Sequence, residues 1–540
     1  MSAHSGGIAE LVVVASVVHT MGSVTSGERQ PTAIAVAGGR VVGLGGSADV
    51  QPLIGPTTRV IRTDGAVVPA FTDAHAHPIM SLGLTRGVDL SGCTSIGQLA
   101  GELSKAQSYL EADDWLLGWG LDPTCLDGED ITNELLHQAL GSDRKAYVTL
   151  FDAHSAIASD AALALAGIDG PRDLPSGSIV IGDDGRPTGH LLEFDAMALL
   201  QPVLPVQTLP ERVAALHGLL AQMAAQGIAE VHVLDMRDAD VVELLCAAEE
   251  AGPLSVRLRL SPWCTPQLDD AACRDLIDGQ GLGGQRWRVE GVKFFIDGTV
   301  EGGTAWLETP DSHGESTGSL WGGVRDYARR VAQFHAAGVP TATHAIGERG
   351  IREVVEVLAA LPTNGVQHRI EHVESVGRDV IQQMGAAGIA VSMQPTHCTH
   401  HTHADGNDEW SRRLGPERAA RAWCTRDVLD SGAVLALGSD YPVAPFEVLK
   451  IMADARLRRP VDDPSVAPVL PDQALTAREV LAGFTTGPRA AIGESGGSLE
   501  LGGPATFVVL DVDPLAVPAE RLGTARVLLT LSEGLLTHEA

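Results

Sequence analysis

The stretch FTDAHAHP, residues 71–78, closes an apolar run with two histidines one residue apart. In a strand the side chains at i and i+2 share a face, so His75 and His77 aim at one point from neighbouring rungs. Two converging imidazoles are half of a metal site. In a chain with 19 histidines the pair alone says little, so the other half must come from elsewhere. It is available: Lys293 interrupts GVKFF, His344 sits in PTATHAIG, His372 in HRIEHVE and Asp440 in LALGSD. Taken singly, either histidine reads as a core residue and Asp440 as a helix N-cap. Lys293 has no such ordinary reading, because an unpaired ammonium is costly to bury. Jointly they describe a divalent-metal centre that lowers the pKa of water toward about 7 for attack on a carbonyl. Zinc suits imidazole and oxygen donors best, with iron and manganese compatible. Asp440 is the expected general base, and His372 or His344 would polarise the carbonyl.

These residues need elements that bring them together. Eight apolar runs can be placed, at 66–75, 227–235, 255–263, 289–298, 340–347, 368–374, 388–395 and 433–440, with helical patterns before most of them. Such alternation predicts an α/β fold, a (β/α)8 TIM-type barrel whose active site lies at the C-terminal strand ends. All the polar residues above fall at those ends. The segment between the first and second runs is too long for a loop, and residues of about 85–215 read as a subdomain inserted after strand 1. Residues 1–65 and 495–540 are β-rich and flank the barrel region at 66–494.

Composition narrows the function. A net charge of −31 argues against nucleic acid and anionic membranes as partners, leaving a small-molecule substrate. The seven cysteines are scattered, with no C-x-x-C spacing, and fit a reducing cytoplasm. The run LVVVASVV follows Glu10 rather than a basic segment and is too short to span a bilayer, so it reads as a strand. Only four of the 38 basic residues are lysines, which sets Lys293 apart.

The chain resembles the amidohydrolase superfamily of metal-dependent hydrolases, in its YtcJ-like branch, which includes the N-substituted formamide deformylases. The superfamily pattern of H-x-H, lysine, two histidines and aspartate is matched by His75, His77, Lys293, His344, His372 and Asp440. Branch markers extend along the chain: WLLGWGLD, GRPTGHLLE, GVKFFIDG, THAIGER, SMQP and GSDYPV. The resemblance implies that these six residues hold one or two ions, that Lys293 carries a CO2-derived carbamate, and that the β-rich ends pair into a small sandwich. It implies cleavage of an amide, N-formyl or related C–N bond. A deaminase or ester hydrolase would use the same constellation, and a binding protein without activity is the rival from another class. A homodimer remains an open form of assembly.

Further residues are expected around the mouth as substrate contacts: Trp119, Asp152, His154 and Glu193 from the insertion, with Asp297 and Glu301 after strand four. The run HCTHHTH, 397–403, is expected on a surface loop, as solvated or substrate-adjacent histidines more than as a second metal site. Three departures from the branch pattern stand out: Ser159 and Asp160 where an Asn-Ser pair is usual, Glu301 in a stretch that commonly has arginine, and Thr506 in place of aspartate.

Overall fold

The computed structural model describes residues 7–22, 30–126, 128–174, 177–236 and 240–540. Each of the eight apolar runs contains a strand: β1 (Phe71–Ala76), β2 (Ile228–Met236), β3 (Arg257–Pro262), β4 (Val292–Phe295), β5 (Thr341–Ala345), β6 (Arg369–His372), β7 (Ala390–Met393) and β8 (Val434–Leu437). All pair in parallel, with helices covering them, which is why they read as continuous apolar runs rather than alternating ones. They form two sheets. One holds β1, β2, β3 and a short strand, Trp287–Val289; the other runs from β4 to β8 in order.

The chain at the start of the fourth run supplies a strand to each sheet. Trp287–Val289 pairs with β3 and β4 pairs with β5. The break falls at Gly291, whose φ of +90° suits a residue without a Cβ. The sheets also meet at both margins. A bridge links Trp263 to Lys293, and the Cys264 N–H donates to the Lys293 carbonyl at 2.8 Å. At the other margin the Asp440 N–H donates to the His75 carbonyl at 2.7 Å. Gly438 permits that approach, because a Cβ there would stand 2.6 Å from the His75 nitrogen.

The first run differs from expectation. Residues 66–69 do not lead the metal strand but form their own strand, Ala66–Pro69, paired antiparallel with Phe507–Leu510 and parallel with Val17–Val18. The switch takes one residue: the Ala70 N–H bonds to the Thr506 carbonyl, and the Phe71 N–H to the Gly227 carbonyl. Residues 66–69 therefore pair with the terminal strands, and the chain passes to the parallel sheet at Ala70. Val17–Val18 and Ala66–Pro69 join three C-terminal strands in one sheet, and the remaining N-terminal strands form a four-stranded sheet. Val13, Ile34, Val67, Phe507 and Leu529 share one apolar cluster between them.

The inserted segment builds a six-stranded sheet from Val88–Asp89 to Pro187–Leu192. Alternate residues of its Ala146–Leu150 strand serve opposite faces: Val148 packs with Leu90 and Leu116, while Tyr147 packs with Ala156 and Leu191. Among the described residues no helix is long and apolar enough to cross a membrane.

Candidate metal centre

His75 is fully buried on β1, and its Nδ1 donates to Glu371 Oε2 at 2.6 Å. That bond turns Nε2 toward the strand ends, where it stands 3.3 Å from His77 Nε2 and 3.3 Å from Asp440 Oδ1. His77 Nε2 lies 2.9 Å from the same oxygen. One atom from each of His75, His77 and Asp440 thus falls within 4.8 Å of the others, a convergence that could hold an ion. His344 and His372 close the ring from β5 and β6, their ring centroids 4.5 Å apart and His372 4.6 Å from His75. His372 Nδ1 donates to Gln394 Oε1 at 2.9 Å, and His344 Nε2 to the Gly298 carbonyl at 3.2 Å.

Two of these residues sit in left-handed backbone. His372 has φ +73° and Asp440 φ +62°. Such conformations cost about 1–3 kcal/mol each and persist where the surroundings hold them, commonly at functional sites. They turn the two side chains inward, His372 at the last residue of β6 and Asp440 just past the end of β8.

Lys293 is fully buried on β4, and its Nζ has no hydrogen-bond partner. Burial pulls its pKa down to about 8, against the opposing pull of Glu371 and Asp440. A neutral amine is therefore accessible near neutrality. Burial, reinforced by Lys293, also holds His75 and His344 well below the ordinary histidine value. For His372 burial and neighbouring His344 do the same. Burial alone would raise Asp440, but His77, His397 and Lys293 outweigh it and keep the carboxylate ionised. Neutral imidazoles, an ionised carboxylate and an orphaned buried amine form a donor set that fits a divalent ion.

The expected substrate contacts separate into two groups. Asp152, His154 and Glu301 line the same cavity as the metal donors. His154 Nδ1 donates to Glu193 Oε2 at 2.9 Å, and Glu193 accepts from Thr304 Oγ1 at 2.8 Å. Burial lowers His154, but Glu193 and Asp152 prevail and raise it to about 9. Half-buried Glu301 is pushed well above the carboxylate range by desolvation and by Glu374. Trp119 and Asp297 are placed otherwise. Trp119, in the inserted sheet, is not among the residues lining the cavity. Asp297 accepts from the N–H groups of Trp306, Ile346 and Gly347 at 2.8–3.1 Å, so it braces the loops after β4 and β5.

The HCTHHTH run is not a surface loop. Residues Pro395–His401 form a helix, α1, and His397 is buried against the cavity. Pro395 at the helix start, after Gln394, is the overlooked signal. Glu371 is a further site residue that no motif marks. Arg369 and Glu371 alternate on β6, pair at 2.8 Å and hold His75; two charges at i and i+2 in a buried strand mark an inward polar face. The departures at 159 and 160 are structural: Ser159 caps Asp160–Leu165, and Asp160 accepts from Asn133.

The profile of the amidohydrolase family matches residues 63–538. YtcJ of Bacillus subtilis, assigned as an amidohydrolase, is 26% identical over 517 residues, covering 94% of this chain and 96% of that protein. The N-substituted formamide deformylase of Arthrobacter pascens is 25% identical over 528 residues, covering 94% and 95%. Among solved structures, an uncharacterized metal-dependent hydrolase from Pyrococcus horikoshii matches with a TM-score of 0.70 at 23% identity, over 94% of this chain and 99% of that one. A profile match of that extent, on a chain whose strand ends gather these donors, settles the affiliation: the chain belongs to the amidohydrolase family.

Proposed function

We propose that this protein is a metal-dependent hydrolase that cleaves an amide, N-formyl or related C–N bond of a small molecule. The observation that carries the reading is Lys293 Nζ, buried without a hydrogen-bond partner beside four histidines and the ionised Asp440. In this reading His75, His77, His344, His372 and Asp440 hold one or two ions, zinc being the best match to the donors. The neutral Lys293 amine adds to CO2 and loses a proton, giving a carbamate with oxygen donors. The ion supplies a Lewis acid that acidifies water and polarises a carbonyl. Asp440 accepts the proton from the attacking water and returns it to the departing nitrogen. His154, held by Glu193, faces the substrate from the insertion, and Glu301 and Asp152 contact its polar groups.

Phe194, Trp263 and Phe295 meet edge to face along the same wall, with centroids 4.7–6.2 Å apart, favouring a substrate with an apolar substituent. The fold reading that accompanies this is one closed (β/α)8 barrel made of the two parallel sheets, with the terminal sheets as a sandwich beside it. A reducing cytoplasm suits the cysteines, all of which are free.

The test is metal analysis of the purified protein, followed by a panel of N-formyl, N-acyl and cyclic amides and esters. Release of amine is expected; ammonia or alcohol as the product would indicate a deaminase or an esterase. His75→Ala and His77→Ala should each lose most of the metal and the activity. Wild-type metal content and rate in either variant would refute the assignment.

A further inference from the structure

The metal reading leaves one wall of the cavity unexplained. Glu374, buried just past the end of β6, and half-buried Glu301, from the stretch after β4, both line it. Glu374 is fixed in place: its Oε2 accepts from Trp410 Nε1 at 2.8 Å, and its carbonyl accepts from the Trp423 N–H at 2.7 Å. No arginine is among the residues lining the cavity, and its one lysine is Lys293. His397 Nδ1 stands 3.9 Å from Glu374 Oε1, and even a protonated His397 would offset one carboxylate of the two.

The other ionisable groups already have work. His154 is paired with Glu193, and Lys293 and Asp440 belong to the metal centre. Desolvation, Glu374 and Asp152 together hold Glu301 above the carboxylate range, a cost that a cation beside these groups would offset. Two more polar atoms on cavity-lining residues are left open. His397 Nε2 and Trp423 Nε1 have no hydrogen-bond partner, on residues only 6% and 1% exposed. Buried polar atoms are seldom orphaned, so a polar ligand completes this side. The indole N–H can only donate, so it asks for an oxygen such as that of an amide.

Resting on the hydrolase reading above, we propose that the substrate is an amide bearing a cationic nitrogen group, ammonium or guanidinium, seated against Glu301 and Glu374. The two carboxylates then set specificity for cationic over neutral and anionic amides. On a chain of net charge −31 the field of the whole molecule has the sign that draws such a substrate in. The Phe194, Trp263 and Phe295 wall is left to the apolar part of the same molecule.

The experiment gives the purified metalloprotein N-formyl and N-acetyl compounds of equal length that end in ammonium, methyl or carboxylate. kcat/KM for the ammonium compound is expected to exceed that for the methyl one by about tenfold or more, the worth of a charge-assisted contact, with the carboxylate lowest. Glu301→Gln should shrink that ratio, and Glu301→Arg should turn it toward the carboxylate compound. The matching methanesulfonamides, which resist hydrolysis, should bind in the same order by calorimetry. Wild type that turns over the methyl or carboxylate compound as well as the ammonium one overturns the inference and leaves the hydrolase reading standing, and so does an unchanged ratio in both Glu301 variants. Binding in the expected order without turnover of any amide or ester supports the cation subsite and sinks the hydrolase reading. Neither binding nor turnover of any compound overturns both.

Discussion

Asp440 is the residue at which the metal and proton roles meet, and its backbone makes the two separable. Asparagine tolerates left-handed φ at least as well as aspartate, so Asp440→Asn keeps both the +62° conformation and the side-chain shape. What it loses is the basic carboxylate. The rate should fall by roughly 10²–10⁴-fold, the usual worth of general acid–base help, while the histidines retain much of the metal. A variant that keeps its metal and works within a few-fold of wild type would place the base elsewhere. Lys293 gives a second test. Lys293→Ala should lose metal, and short carboxylic acids should restore part of the activity by supplying the missing oxygens. Unchanged metal content in that variant would remove the carbamate from the site.

Among the elements, β2, β3 and β6 carry a charged network beneath the metal donors. Glu230 accepts from Arg259 at 2.9 Å and Arg489 at 2.7 Å, and Arg369 links His232 at 2.9 Å to Glu371 and so to His75. Burial would raise Glu230, but His232, Arg489 and Arg259 outweigh it and hold it at about 2, below its ordinary 4.5. Its stabilisation is therefore complete above pH 4.5 and is lost as pH falls toward 2. Burial lowers His232 from 6.5 to about 4, so the fold loses stability as pH falls from 6.5 to 4, where the unfolded chain takes up a proton that the folded one refuses. Denaturant unfolding of chelator-treated protein should show stability declining from pH 6.5 downward, and Glu230→Gln should flatten the limb below 4.5. The same variant should lose about 1–3 kcal/mol at pH 7, since half-buried Arg259 and Arg489 give up the buried Glu230 carboxylate while keeping Glu290 and Glu494; no measurable loss would show the network to be idle. This network also marks where the sequence stops being legible. The six proposed metal-site residues could be read because each interrupts an apolar run at the same end. Arg369 and Glu371 interrupt their run too, but their partners lie on other strands, and pairing between distant segments leaves no local pattern. The switch at Ala70 was hidden for a related reason: two consecutive apolar strands that serve different sheets look like one. Helix α1 was obscured by composition, since four histidines in seven residues read as polar loop while His397 faces inward.

At the scale of the whole molecule, the terminal strands clamp the segment that bears His75 and leads to His77. Ala66–Pro69 pairs with Phe507–Leu510 and passes through Ala70 into β1. Removing residues 505–540 should therefore abolish metal binding although it deletes no donor, because it strips Phe507, Val509, Leu529 and Leu531 from the apolar cluster behind Val67. Metal content and near-ultraviolet circular dichroism of the shortened chain check this, and a folded, metal-bound product would refute it. The point change Phe507→Ala should cost about 3–5 kcal/mol by cavity formation alone. The clamp also sets an order of events in time. His19 bonds to Asp513, 494 positions later, and Val67 waits for Val509 across nearly the whole span of translation. On the ribosome every metal donor has emerged before the strand that secures β1 exists. Ion loading thus belongs to the finished chain, and a nascent polypeptide carrying all its ligands is still without a place to keep the metal.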